Sequence, residues 1–186
     1  MDGKLVILSG PSGSGKDTVI EAWKGIDADV NRVVAYTTRS PRKGETDDVD
    51  YHFVSPGTFE SMVKEEAFLE WKEVHGNLYG TPVFDMERMI REGKIAVLKI
   101  DVQGALTAME KRPDAITIFL EPPSMDELEQ RIRDRRTDTE HQIEIRMKNA
   151  VWEMAHADRY QHRVINADAQ RAAEEIDHIV SGKEVA

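Results

Sequence analysis

Gly10-Pro11-Ser12-Gly13-Ser14-Gly15-Lys16 constrains this chain more than any other segment. A short apolar run, Lys4 to Ser9, precedes it, and apolar residues at helical spacing, Val19, Ile20 and Trp23, follow it. Gly-x-x-x-x-Gly-Lys between a strand and a helix is the pattern of a phosphate-binding loop. Its glycines let the backbone curl until successive amides point inward around an anion. The next helix adds its N-terminal amides, and Lys16 adds a mobile positive charge. A dinucleotide fingerprint fits less well, because it needs no such lysine. A plain glycine turn capping a helix leaves Lys16 and both outer glycines unexplained. Gly10, Pro11, Ser12, Gly13, Ser14, Gly15 and Lys16 are therefore candidates to hold a nucleotide's phosphates.

The next position is unusual. A serine or threonine there would offer its hydroxyl to magnesium, but this chain has Asp17, followed by Thr18. A carboxylate is a hard, charged oxygen ligand well suited to magnesium, yet it sets negative charge beside phosphates. Either Asp17 holds the metal, or a nearby cation balances it, or it is an ordinary first-turn acid. Thr18 is a hydroxyl behind the site or a packed helix residue.

Beyond the loop, Val33 to Ala35 and Tyr51 to Val54 read as short strands, with a polar stretch over 36–50 between them. Pro56 opens a helix with Phe59, Met62 and Val63 on one face. Residues 68–81 form a β-rich piece, and a further helix runs from Pro82 to Gly93. Ile95 to Ile100 and Ala115 to Leu120 are apolar strands, with a helix starting at Ala105 between them. Helices are expected over 124–136 and 139–157, the latter with Ile143, Ile145, Met147, Val151 and Met154 as its apolar positions. A last strand, Arg163 to Ile165, leads to a terminal helix from about Ala169 to Val180. Strands alternating with helices at both ends imply an α/β fold with a parallel sheet covered on both faces. The stretch from about 32 to 82 breaks that rhythm and reads as an insert.

Thr37-Thr38-Arg39-Ser40-Pro41-Arg42-Lys43-Gly44-Glu45 sets two arginines three apart, and Tyr51 follows. Guanidinium forks match phosphate oxygens bidentately, so the pair suits a second phosphate; a solvated charge run is the bland alternative. A buried Glu70 would need hydrogen-bond donors, which the N1–H and N2–H of guanine are. Thr81 could then bond O6, and Tyr51 and Tyr79 could reach a phosphate. Charge narrows the partners. With 25 Lys plus Arg against 35 Asp plus Glu, the net charge is −10, which disfavours nucleic acid as the main partner. The chain has no cysteine, so disulfides and thiolate chemistry are excluded. Its N-terminus lacks a signal peptide's basic segment and long apolar region, and no apolar run nears the ~20 residues that span a bilayer. No membrane partner and a cytoplasmic location are the expectation.

Taken together, these segments strongly resemble guanylate kinase: the loop at 10–16, Thr37 to Glu45, Asp50 to Val54, Phe68 to Trp71, Glu73 to Asn77 with Tyr79 to Pro82, Ile100 to Gly104, and Arg135 to Glu140. The resemblance implies a P-loop NTPase core with a GMP-binding insert and a small helical lid. It divides the chain into core at 1–32, insert with return helix at 33–94, core at 95–130, lid at 131–147 and core at 148–186. It implies ATP and GMP as substrates, dGMP as a candidate second acceptor, and Mg2+ with ATP. Arg39, Arg42 and Tyr51 match ligands of the acceptor phosphate, as does Tyr79, and Glu45 orients them. Glu70 and Thr81 match the readers of the guanine edge. Asp101 matches the strand-end acid near guanine and the metal, so Asp17 and Asp101 are the metal candidates. Arg131, Arg135 and Arg146 match arginines that converge on the transferring phosphate; a solvated helix end is the alternative for them. Asn166 lies by the segment that contacts adenine.

Three positions depart from the family pattern: Asp17, Lys99 in place of an acid two residues before Asp101, and Ala35 in place of a serine. The first two reverse sign, so they are expected to meet as a compensating charge exchange. The Gly-Lys-Asp form also resembles ribose 1,5-bisphosphate phosphokinase, which would explain Asp17 but not Arg39, Arg42, Glu70, Tyr79 and Thr81. Scaffold domains that bind phosphopeptides without catalysis are a further rival, but they typically lose loop features kept here. A monomer and a small homo-oligomer fit the sequence equally.

Overall fold

The computed structural model describes residues 3–74, 76–134 and 139–182. Five strands, β1 (Lys4–Ser9), β2 (Val30–Arg32), β7 (Ile95–Lys99), β8 (Ile116–Glu121) and β9 (His162–Ile165), form a parallel sheet in the order β2-β7-β1-β8-β9. Side chains alternate across a strand, and β1 shows the consequence. Val6 and Leu8 join one core with Val19, Ile20 and Trp23 of α1 (Lys16–Ile26) and Ile176 and Val180 of α7 (Ala169–Ser181). Leu5 and Ile7 join the opposite core, with Met86 of α3 (Val83–Arg91) and Val102 and Ala105 of α4 (Val102–Lys111). Both faces are covered, which is why β1 reads as an unbroken apolar run. A polar demand in the first core is met internally, since the Trp23 indole N–H donates to Asp177 Oδ1 at 3.0 Å.

A second sheet stands beside the first, in the order β4 (His52–Phe53), β3 (Tyr36–Thr37), β6 (Asn77–Pro82), β5 (Phe68–Val74). β5 and β6 form an antiparallel hairpin, while β3 and β4 pair in parallel. Helix α2 (Pro56–Lys64) covers it, with Phe59 stacked on Phe68 at 4.6 Å between ring centres. Ser55 caps that helix by accepting from the Thr58 amide, and Pro56 occupies the first turn, where no N–H is missed. A third, small core joins α5 (Met125–Asp134) to α6 (Glu140–Met154) through Leu128, Ile132, Ile143 and Ala150.

Three expectations need correction. Residues 33–35 are not a strand: Val33 N–H still donates to Val97 O, while Ala35 O already accepts from His52 N–H, both at 2.9 Å. The segment passes from one sheet to the other and is shared between them. Helix α4 begins at Val102, not Ala105, because Asp101 caps it through Gly104 N–H at 2.9 Å. On α6, Ile143 turns inward but Ile145 and Val151 are exposed, so the apolar stripe is narrower than its composition suggests.

Candidate active site

The site lies where ligands gather in parallel sheets, outside the carboxyl ends of the strands. β1 ends at Ser9 and runs into the glycine loop, and β7 ends at Lys99 just before Asp101. The loop's shape needs its glycines. Gly10, Gly13 and Gly15 have φ of 141°, 94° and 92°, a region that side chains with a Cβ rarely enter. A Cβ at Gly10 would lie 2.2 Å from Leu120 O, and one at Gly15 would lie 2.3 Å from Asn166 Nδ2. Lys16 Nζ donates to Gly10 O at 2.6 Å and Pro11 O at 3.0 Å, closing the loop on itself.

Two adjoining cavities open from this loop. One, of about 280 Å3, is lined by Gly13, Gly15, Lys16, Asp17, Thr18 and Glu153 among others. Its neighbour, of about 310 Å3, is lined by Tyr51, Glu70, Lys72, Tyr79, Thr81 and Asp101 among others. Ser12, Tyr51, Lys99, Ile100 and Asp101 line both, so the two cavities share a wall.

The charge exchange is realised. Lys99 Nζ meets Asp17 Oδ1 at 2.5 Å, and Arg32 Nη1 approaches the same oxygen at 3.5 Å. Burial raises the Asp17 pKa, but Lys99 and Arg32 outweigh it, and the carboxyl is held below its ordinary range. Both bonds use Oδ1, leaving Oδ2 as a hard oxygen at the lip of the loop. That donor fits a magnesium ion carried by nucleotide phosphates. Asp101 is differently placed: Oδ1 caps α4, and Oδ2 lies against Lys72 Nζ. Among the described residues, no cluster of three or more His, Asp or Glu suited to a metal occurs.

Behind Tyr51 and Tyr79, which line the second cavity, Arg39 is held before any ligand arrives. Its Nη1 and Nη2 fork onto Glu45 at 2.9 and 2.8 Å, and its Nε donates to Tyr79 Oη at 3.2 Å. The hydrogen-bonded guanidinium lowers the Glu45 pKa. Glu45 also accepts from the Arg42 amide at 2.6 Å, which tightens the turn while the Arg42 side chain stays exposed. Tyr51 packs edge-on against Tyr79, with Arg39 over its ring. Glu70 is 5 % exposed and accepts from the Thr81 hydroxyl at 2.6 Å. Burial raises its pKa against the pull of Thr81, Lys72 and Lys111.

Other expected residues stand farther off. Arg131 donates to Glu127 and to Asn166 O at 3.0 Å. It faces a third opening that also meets Gly13, Gly15 and Thr18. Asn166 is buried, and its side-chain amide donates to Ser14 O at 2.7 Å, so it braces the loop. Arg146 is half-buried on α6, and Arg135 lies outside the described residues. Sequence reasoning missed Lys72 and Glu153. The Glu153 carboxylate accepts from the Ser12 amide; burial raises its pKa, and Lys16 and that bond partly counter the rise. Lys72 had a readable signal: it lies two residues after Glu70 on one strand and so shares its face.

A family model described as guanylate kinase matches residues 2–183. A guanylate kinase of Clostridium perfringens is 43% identical over 178 residues, covering 96% of this chain and 82% of the relative. One from Halalkalibacterium halodurans is 44% identical over 181 residues, covering 97% and 89%. Among solved structures, guanylate kinase from Anaplasma phagocytophilum superposes with a TM-score of 0.77 at 32% identity, covering 99% of this chain and 87% of that one. A shikimate kinase from Acinetobacter baumannii superposes with a TM-score of 0.52 at 14% identity over 98% and 96% of the two chains, which speaks to the fold alone.

Proposed function

This chain belongs to the guanylate kinase family, and from that premise we propose that it transfers the γ-phosphoryl group of ATP to GMP, giving ADP and GDP. The carrying observation is the pair of adjoining cavities. One is built on a phosphate loop with Lys16, and the other is lined by Tyr79, which holds Arg39 behind it, and by a buried acid, Glu70.

The loop amides wrap the donor's phosphates, and Lys16 exchanges its bonds to Gly10 O and Pro11 O for phosphate oxygens. Arg39, oriented by Glu45, takes the acceptor phosphate with Arg42, Tyr51 and Tyr79. Glu70 receives the N1–H and N2–H donors of guanine. The nucleophile is a phosphate oxygen that is largely ionised near neutral pH, since its second pKa is about 6. No strong base is needed; alignment and charge neutralisation carry the step. Asp17 would hold magnesium, which when bound would neutralise charge on the transferring phosphates. Asp101, engaged by Lys72 and the Gly104 amide, organises the guanine end instead. Arg131 and Arg146 serve the reacting phosphate when the α5–α6 unit closes, which also excludes water, and the resemblance gives Arg135 the same role. The divisions at 33–94 and 131–147 are the insert and lid that such closure uses. Among the described residues, no helix is long and apolar enough to cross a membrane.

The test is ADP formation from ATP with GMP, AMP, ribose 1,5-bisphosphate or no acceptor. GMP-dependent turnover is the expected result. Turnover with the ribose bisphosphate, or none above the acceptor-free rate, would overturn the reading.

A further inference from the structure

Arg32 closes β2 at the edge of the parallel sheet, and its guanidinium reaches toward the insert. Nη1 approaches Asp17 Oδ1 at 3.5 Å, while Nη2 donates to Asp50 O at 2.9 Å and to Val49 O. One side chain therefore touches the acid behind the glycine loop and the backbone of the insert. That side chain is 15% exposed, so solvent screens its interactions little.

The segment it holds is not packed onto the core. Val49 is 60% exposed, and Asp17, Arg32, Val49 and Asp50 line one cavity of about 450 Å3. Among the described residues, the other hydrogen bonds of residues 46–50 stay within 46–53. Asp50 N–H donates to Thr46 O, Thr46 N–H to Asp50 Oδ2, and Phe53 N–H to Asp47 Oδ1. Such bonds shape the turn but do not place it against the sheet. Tyr51 then lies between two anchors. On one side His52 N–H donates to Ala35 O at 2.9 Å, and on the other stands Arg32. A peptide unit is planar, so holding the carbonyls of Val49 and Asp50 fixes both planes that flank Asp50. The second of those planes carries the Tyr51 amide.

We propose that Arg32 is a positioning residue for the acceptor phosphate, acting through Tyr51, whose side chain lines both cavities. The inference rests on the GMP-acceptor reading above. An ammonium in its place would keep the charge but lose the planar fork that meets a carboxylate and two carbonyls together.

The test measures dissociation constants of GMP and of ATP, each alone, for the unmodified protein, Arg32→Met, Tyr51→Phe and the double variant. Arg32→Met should weaken GMP by about tenfold, the scale of one hydrogen bond to a charged group. ATP should change by less than about twofold, because Lys99 still pairs with Asp17. Tyr51→Phe should weaken GMP to a similar degree. The double variant should be no more than about twofold weaker than either single one, since both substitutions remove the same contact. Losses that multiply, unchanged GMP binding in Arg32→Met, or an equal loss for ATP would overturn the role of Arg32. If Arg32→Met does not fold, Arg32→Lys decides: GMP should still weaken by at least about threefold, and full affinity would overturn the role. Failure of the unmodified protein to bind GMP at all would instead overturn the acceptor reading, and the role of Arg32 with it.

Discussion

The two ends of the site are made of different material. The proposed donor end is seven consecutive residues that offer their backbone amides, shaped by glycines at φ of 141°, 94° and 92°. The acceptor end is made of side chains brought from far apart: Arg39 reaches Tyr79 across 40 residues, and Glu70 meets Thr81 across the β5–β6 hairpin. A backbone site is intolerant at its glycines and permissive elsewhere, since most of its side chains do not touch the ligand. A side-chain site can be retuned one residue at a time, and Lys72 and Asp101 show how closely its charges are already interlocked.

Substitutions should separate the two ends. Lys16→Met removes the cation of the glycine loop, and turnover should fall by at least about a hundredfold with every acceptor; steady-state kinetics with GMP at saturation reads this. Glu70→Gln should act on one substrate alone, weakening GMP by roughly ten- to a hundredfold through loss of a buried charged acceptor while the KM for ATP stays within about twofold. A matching loss for ATP would break the division drawn here.

pH sharpens the same contrast. Burial raises the Glu70 pKa, and base binding needs the ionised form. GMP affinity should therefore fall on acidification at a higher pH than an ordinary carboxylate would dictate, and Glu70→Gln should flatten that profile. Its effect on folding runs the other way. A carboxyl whose folded pKa lies above its unfolded value favours the native state most at low pH, and that contribution is lost as pH rises through the raised value. The smallest effect is expected at the charge exchange. A double-mutant cycle on Asp17 and Lys99, read by thermal or denaturant unfolding, should give a coupling of about 0.5–1 kcal/mol, since the Asp17 side chain is 70% exposed and solvent screens the pair.

The same contrast decides what was legible in the sequence. The loop, the parallel sheet and most helices were readable because they rest on local signals: glycine spacing, apolar runs and capping residues. Val33 to Ala35 misled because β-branched residues also suit a crossing between two sheets, where hydrogen bonds are shared. The meeting of Asp17 with Lys99 was readable only through the reversed signs. Arg32 as their companion was not readable, because nothing local ties residue 32 to residue 17. The proton given by Thr81 to Glu70 was equally hidden, since direction in a hydrogen bond follows from three-dimensional partners. Asn166 was expected by the adenine-contacting segment, and its side chain also braces the loop, which the sequence did not disclose.

The central claim is that both ends serve one direct transfer. The most direct measurement follows the label from γ-32P-ATP, with and without GMP. The account predicts label in GDP, dependent on GMP, with little in inorganic phosphate. Label released as inorganic phosphate at the same rate with or without GMP would contradict it.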